Sequence, residues 1–142
     1  MTPAYGTTAL RPAPRALVVD DELAIRSVLQ RYFERRGWDV DVAGDGEDAL
    51  AFLGATHLPF GQSYDVIIAD MRMGRMGGAE LHRWMAQHRP DGLDSFSVAT
   101  GDASDEATAM FLAESRCRVL QKPFELRELG ELLVEVRGRD RD

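Results

Sequence analysis

The sequence predicts an α/β domain in which five parallel strands form one doubly wound sheet with helices on both faces. Three observations carry this. Short apolar runs recur along the chain, and each is followed by a stretch with helical spacing. Strict strand-helix alternation implies parallel strands joined by right-handed crossovers. The run Val66-Ile67-Ile68-Ala69 is apolar without alternation, the mark of a strand covered on both faces. A length of 142 residues suits one such domain with a single core.

Taken in order, residues 1–14 hold Pro3, Gly6, Pro12 and Pro14 with little periodicity and read as a flexible tail or linker. The domain then occupies residues 15–137. Ala16-Leu17-Val18-Val19 is a buried strand ending at Asp20-Asp21-Glu22. Ile25, Val28, Leu29, Tyr32 and Phe33 follow at the spacing of an amphipathic helix, with acids at its start to suit the helix dipole and Gly37 at its end. Trp38 to Val42 alternates and reads as an edge strand, and Gly44-Asp45-Gly46 is a turn. Ala49, Phe52 and Leu53 mark a short helix, and Thr56 to Ser63 a longer loop.

The central strand is expected over Asp65 to Ala69. Beyond it, Leu81, Trp84, Met85 and His88 define a helix face, broken by Pro90 and Gly92. Phe96 to Ala99 is a strand ending at Thr100-Gly101-Asp102. Ser104 is the expected N-cap of a helix whose face is Ala107, Met110 and Phe111. Arg118 to Gln121 is a strand ending at Lys122-Pro123, and Leu126, Leu129, Leu133 and Val136 stripe a last helix. Residues 138–142 are a solvated tail.

A formal net charge of -7 argues against non-specific nucleic-acid binding and against an anionic membrane surface. No apolar run approaches the length of a membrane span, and residues 1–14 lack the pattern of a signal peptide. Cys117 alone can form neither an internal disulfide nor a multi-cysteine metal site, which fits a reducing cytoplasmic location. His57, His82 and His88 lack metal-ligand spacing, and the methionines after Asp70 read as packing. Lys122 is the only lysine among 17 basic residues. An arginine-rich chain has kept one ammonium point charge.

In a parallel sheet the C-terminal strand ends share one edge, where ligands and chemistry sit. Here they carry Asp20, Asp21, Asp70, Thr100 and Lys122. Clustered carboxylates repel unless a cation intervenes. A hard divalent ion, Mg²⁺ or Mn²⁺, would take Asp21 and Asp70 directly, Asp20 through water and the backbone carbonyl of Arg72. Thr100 and Lys122 would bind phosphoryl oxygens. With Asp70 as nucleophile, these are the parts of a phosphoryl transfer.

The motifs Leu17-Val18-Val19-Asp20-Asp21-Glu22, Ile67-Ile68-Ala69-Asp70, Ala99-Thr100-Gly101-Asp102 and Gln121-Lys122-Pro123-Phe124 together resemble the receiver domain of bacterial response regulators. The resemblance covers residues 15–137. It implies a flavodoxin-like (βα)5 fold that takes a phosphoryl group onto Asp70 from a sensor histidine kinase or a histidine phosphotransfer domain, in cis or in trans. It implies no turnover enzyme, but a receiver that catalyses its own phosphorylation and dephosphorylation. A cis Lys122-Pro123 bond is frequent in the family. The segment from Phe111 to Leu126 is similar to receivers at the C-terminus of hybrid sensor kinases, which would make residues 1–14 a linker from a larger protein.

Departures from the family pattern sit at three places. Gly74 replaces the usual proline of the loop after the acceptor, which implies a looser loop. Val119 occupies the switch position, where the family usually has an aromatic ring. Arg72 and Asp102 occupy the two positions that modulate dephosphorylation, and are expected to pair across the site mouth. Two alternatives stay open. One is a non-phosphorylated interaction module of the same fold. The other is an aspartyl-phosphate phosphohydrolase, which would need a second acid where Arg72 stands. A nucleotide-binding domain is disfavoured by acids where its glycines would lie. Oligomerisation is compatible with the sequence but is not predicted by it.

Overall fold

The computed structural model describes residues 13–54 and 64–140, and the side chains among them up to Val136. The expected loop Thr56 to Ser63, His57 within it, and residues 1–12 of the expected tail lie outside the described residues. The strands are β1 (Arg15–Val19), β2 (Asp39–Ala43), β3 (Val66–Asp70), β4 (Phe96–Thr100) and β5 (Arg118–Gln121). The helices are α1 (Leu23–Glu34), α2 (Gly46–Leu53), α3 (Gly78–His88), α4 (Glu106–Ser115) and α5 (Leu126–Asp140), with a 3-10 turn at Pro90–Ser95. All strand pairs are parallel, in the order β2-β1-β3-β4-β5.

β3 is central, as its apolar run predicts, and every residue of it is buried. Its alternate side chains feed two cores. Val66 and Ile68 join Ala16, Val18, Leu29, Phe33, Leu129 and Leu133 under α1 and α5. Ile67 and Ala69 join Leu17, Val19, Leu53, Leu81, Met85 and Val98 under α2 and α3. Edge strand β2 is exposed at Asp39, half-buried from Val40 to Val42 and buried at Ala43, so the alternation of its sequence does not carry through to burial. Gly37 turns the chain from α1 into β2 at φ +82°, a conformation that favours glycine.

Several boundaries differ from expectation. α4 is capped by Asp105, whose carboxylate accepts from the Thr108 amide, while Ser104 bonds back to Asp102. The buried residue of α4 is Thr108, with Phe111 and Leu112 half-buried, and Met110 faces outward. His88 stacks on Trp84 at the surface and leaves the α3 core to Leu81 and Met85. Val28 and Leu126 are exposed instead of lining the core. Cys117 is half-buried, donates its thiol to the Phe96 carbonyl, and is pushed by burial up to about 11. α5 runs through Gly138 to Asp140, where a tail was expected.

The α1 side of the core rests on Phe33, fully buried, with ring centroids 5.0 Å from Trp38 and 5.7 Å from Tyr32. Replacing Phe33 by Ala removes its packing and leaves a cavity, so a loss of about 3–5 kcal/mol is expected. Urea unfolding followed by tryptophan fluorescence measures it; a loss near zero would show that the neighbours collapse into the space.

Candidate functional site

Strand register builds the site. Val19 pairs with Ala69, so the residues that follow, Asp20 and Asp70, emerge side by side. Thr100 pairs with Gln121, which delivers Lys122 one step beyond. Asp20, Asp70 and Thr100 are all buried. The Lys122 ammonium donates to Asp20 Oδ2 at 2.9 Å and to Asp70 Oδ2 at 3.1 Å, and lies 3.7 Å from Glu22 Oε1. The Lys122-Pro123 bond is cis.

Backbone groups fix the rest. Asp20 Oδ1 accepts from the Glu22 amide at 2.8 Å, and the Asp20 carbonyl from Arg26 at 2.7 Å. The Met71 amide bonds the Ala99 carbonyl at 2.9 Å, and the Lys122 amide the Thr100 carbonyl at 2.7 Å. Thr100 Oγ1 accepts from the Asp102 amide at 3.1 Å. A cleft opens over these groups, lined by Glu22, Asp70, Arg72, Thr100, Gly101, Asp102 and Lys122.

Asp20, Asp21, Glu22 and Asp70 each place a carboxylate oxygen so that all lie within 4.8 Å of one another. Asp21 and Glu22 are exposed, Asp20 and Asp70 buried. Four acids against one ammonium, all with hard oxygen donors and one side open to solvent, fit a divalent ion of the Mg²⁺ type. Burial, reinforced by the Asp20 charge, holds the Asp70 carboxyl above its ordinary range against the opposing pull of Lys122. Burial also works against the Lys122 ammonium, but hydrogen bonds and charge from Asp20 and Asp70 outweigh it and hold it above the usual lysine range.

Residues 16–134 match the family described as response regulator receiver domain. The chain belongs to that family. Receiver domains of two-component systems accept a phosphoryl group on an aspartate, bind Mg²⁺ at an acidic pocket, and interact with histidine kinases or phosphotransfer domains. Among curated relatives, response regulator MprA of Mycolicibacterium vanbaalenii is 34% identical over 81% of this chain and 46% of its own length. Sensor kinase CckA of Brucella abortus is 30% identical over 91% of this chain and 13% of its own. The chain thus spans less than two thirds of either relative. A response regulator receiver protein of Pseudomonas putida superimposes with TM-score 0.74 at 29% identity, covering 89% of this chain and 99% of that one. Response regulator TrrA of Thermotoga maritima, solved in complex with Mg²⁺-BeF, gives TM-score 0.65 at 26% identity over 87% and 98%.

Within this receiver the predicted residues divide. Asp20, Asp70, Thr100 and Lys122 converge, and Asp21 adjoins them. Arg72 and Asp102 line the cleft but do not pair as expected. The Arg72 guanidinium bridges to Asp105 at 3.0 Å, and Asp102 accepts from the Ser104 hydroxyl at 2.7 Å. The cause is the α4 cap: Asp105, not Ser104, turns back at the helix start and presents the nearer carboxylate. Val119 lies on edge strand β5, 42% exposed. Sequence reading missed Glu22 as a member of the acidic cluster, although its place beside Asp20-Asp21 was a signal. It also missed Arg75, which fastens the expected loose loop to α2.

The raised Asp70 carboxyl has a consequence for stability. A carboxyl whose folded pKa lies above the ordinary 3.8 binds protons more tightly when folded. Stability therefore falls as pH rises from that value through the folded one. In metal-free receiver, Asp70→Asn is expected to raise the urea midpoint at neutral pH, and the gain should fade as pH falls through the same window. A variant no more stable than wild type at neutral pH contradicts this.

Proposed function

We propose that Asp70 is the phosphoacceptor of this receiver and that the donor is a phosphohistidine on a sensor kinase or histidine phosphotransfer domain, in cis or in trans. One observation carries the reading: the buried carboxylate at the end of the central strand is held by the chain's only lysine, beside a buried threonine and three further acids. An Asp70 oxygen attacks phosphorus, the P–N bond breaks, and the imidazole nitrogen leaves with the electron pair. The product on Asp70 is an acyl phosphate. Lys122 then balances charge that has spread to the phosphoryl oxygens. The Thr100 hydroxyl donates to one of them while still accepting from Asp102.

Asp20, Asp21, Asp70 and the Arg72 carbonyl would hold Mg²⁺ or Mn²⁺, with Glu22 beside them, and the ion would neutralise the transferring group. A magnesium ion is in keeping with the Thermotoga maritima response regulator TrrA, solved in complex with Mg²⁺-BeF. The histidine partner would dock on the apolar groove formed by Ala24, Ile25, Val28, Pro123, Phe124 and Leu126, which shares Glu22 and Lys122 with the cleft and so leads to Asp70. The new charge biases a two-state equilibrium in the β4-α4-β5-α5 region and so alters partner contacts. The receiver is no turnover enzyme: it catalyses its own phosphorylation and dephosphorylation. Arg72 stands where a hydrolase would need a second acid. A cytoplasmic setting, and a place within a hybrid kinase like the sensor-kinase relatives, complete the reading.

Incubation with acetyl phosphate and Mg²⁺ tests it. Wild type should be labelled, and chelation or Asp70→Ala should abolish labelling. Lys122→Ala should slow it by about a hundredfold, the usual loss for one donor aimed at developing charge. No labelling of wild type, or full labelling of Asp70→Ala, sinks the assignment.

Arg72 and Asp102, anchored separately, are proposed to restrict the water that attacks the acyl phosphate. Its half-life should shorten in Arg72→Ala and in Asp102→Ala; unchanged decay in both rejects that role.

A further inference from the structure

Between Asp70 and α3 the chain runs through Gly74 and Gly77, and Gly78 opens the helix. A side chain at Gly74 would meet nothing within 4 Å. A glycine in open space leaves the backbone much freedom. Yet this is the stretch that carries the Arg72 carbonyl and leads directly out of Asp70.

Its start is held by the Met71 amide on the Ala99 carbonyl and by the Arg72–Asp105 pair, and Arg75 ties down its glycine-rich remainder. The Arg75 guanidinium lies against the first turn of α2. Its Nε donates to Asp45 Oδ2 at 2.7 Å, and its Nη2 to Asp48 Oδ1 at 2.7 Å and to Asp45 Oδ1 at 3.4 Å. Nη1 lies 3.6 Å from Glu47. The next residue reinforces the joint: the Met76 carbonyl accepts from the Gly46 amide at 2.8 Å. A Cβ at Gly46 would come within 2.6 Å of that carbonyl, so the approach is close. Acids suit a helix N-terminus but repel one another. A single forked guanidinium answers all three. Isolated surface pairs contribute little, whereas networks and bidentate geometry are the cases in which they count.

We infer that Arg75 is a positioning residue for the metal and phosphoryl site: by tying the β3-α3 loop to α2 it keeps the Arg72 carbonyl and the Asp70 carboxylate in ligating position. The inference rests on the reading of Asp70 and its neighbours as a metal site. Without the tie, the ion must order the loop as it binds, and that ordering lowers affinity. Arg75 itself is 58% exposed at its side chain, so its loss should spare the core.

Two measurements on the full chain decide it: amide exchange over residues 71–77 in metal-free protein, and the Mg²⁺ dissociation constant by calorimetry. Arg75→Ala should speed exchange there and weaken Mg²⁺ by about three- to tenfold, the scale of one exposed ion-pair network, with little change in urea midpoint. Asp45→Asn, which retains the cap acceptor for Asp48, should act in the same direction. Arg75→Lys should fall between, since an ammonium cannot fork. Gly74→Pro added to Arg75→Ala should recover most of the affinity by restricting the backbone instead. Unchanged exchange and affinity in Arg75→Ala, beside a wild type that binds Mg²⁺, overturn this inference alone. A wild type that does not bind Mg²⁺ overturns the metal-site reading and this inference with it.

Discussion

Two buried carboxylates at neighbouring strand ends are the constraint on which the rest of this structure depends. Isolated, each would be costly to desolvate, and together they repel. The Lys122 ammonium reaches both and makes the arrangement tenable. That requires β1, β3 and β5 to hold one register, which in turn requires two full cores, one on each sheet face. The fold is thus the frame of an acidic cluster that a single ammonium does not balance. Such an excess of hard oxygen donors suits a divalent ion of the kind receiver domains bind.

Charge also organises the surroundings. The loop after Asp70 is drawn toward two helix N-termini by ion pairs, Arg72 to Asp105 at the start of α4 and Arg75 to the first turn of α2. Each helix start supplies acids that suit its own dipole, and the one loop supplies an arginine to each. The site mouth is therefore framed by exposed, salt-sensitive contacts, while its floor is buried and screened from salt.

Much of this was legible in the sequence because it was local or periodic. The unbroken apolar run before Asp70 announced a strand covered on both faces, and alternation in β2 announced an edge. Lone-lysine usage pointed to Lys122 before any geometry did. What was not legible was pairing at a distance. Nothing near Arg72 in sequence says that its carboxylate partner is Asp105 and not Asp102, because that depends on which residue turns back to cap α4. Arg75 and Asp45 are 30 residues apart and meet beside the bond from the Gly46 amide to the Met76 carbonyl. Gly138 suggested a helix end, yet tertiary context carries α5 past it, as a single glycine permits.

The contact between Lys122 and Asp20 joins residues 102 positions apart. It closes nearly the whole domain into a single loop, and no shorter part of the chain contains the charge cluster. An emerging polypeptide that has completed four strands holds its acids without their ammonium, so they repel. Docking of the fifth strand brings the ammonium that offsets that repulsion. The complete charge cluster therefore requires the last strand to be in place.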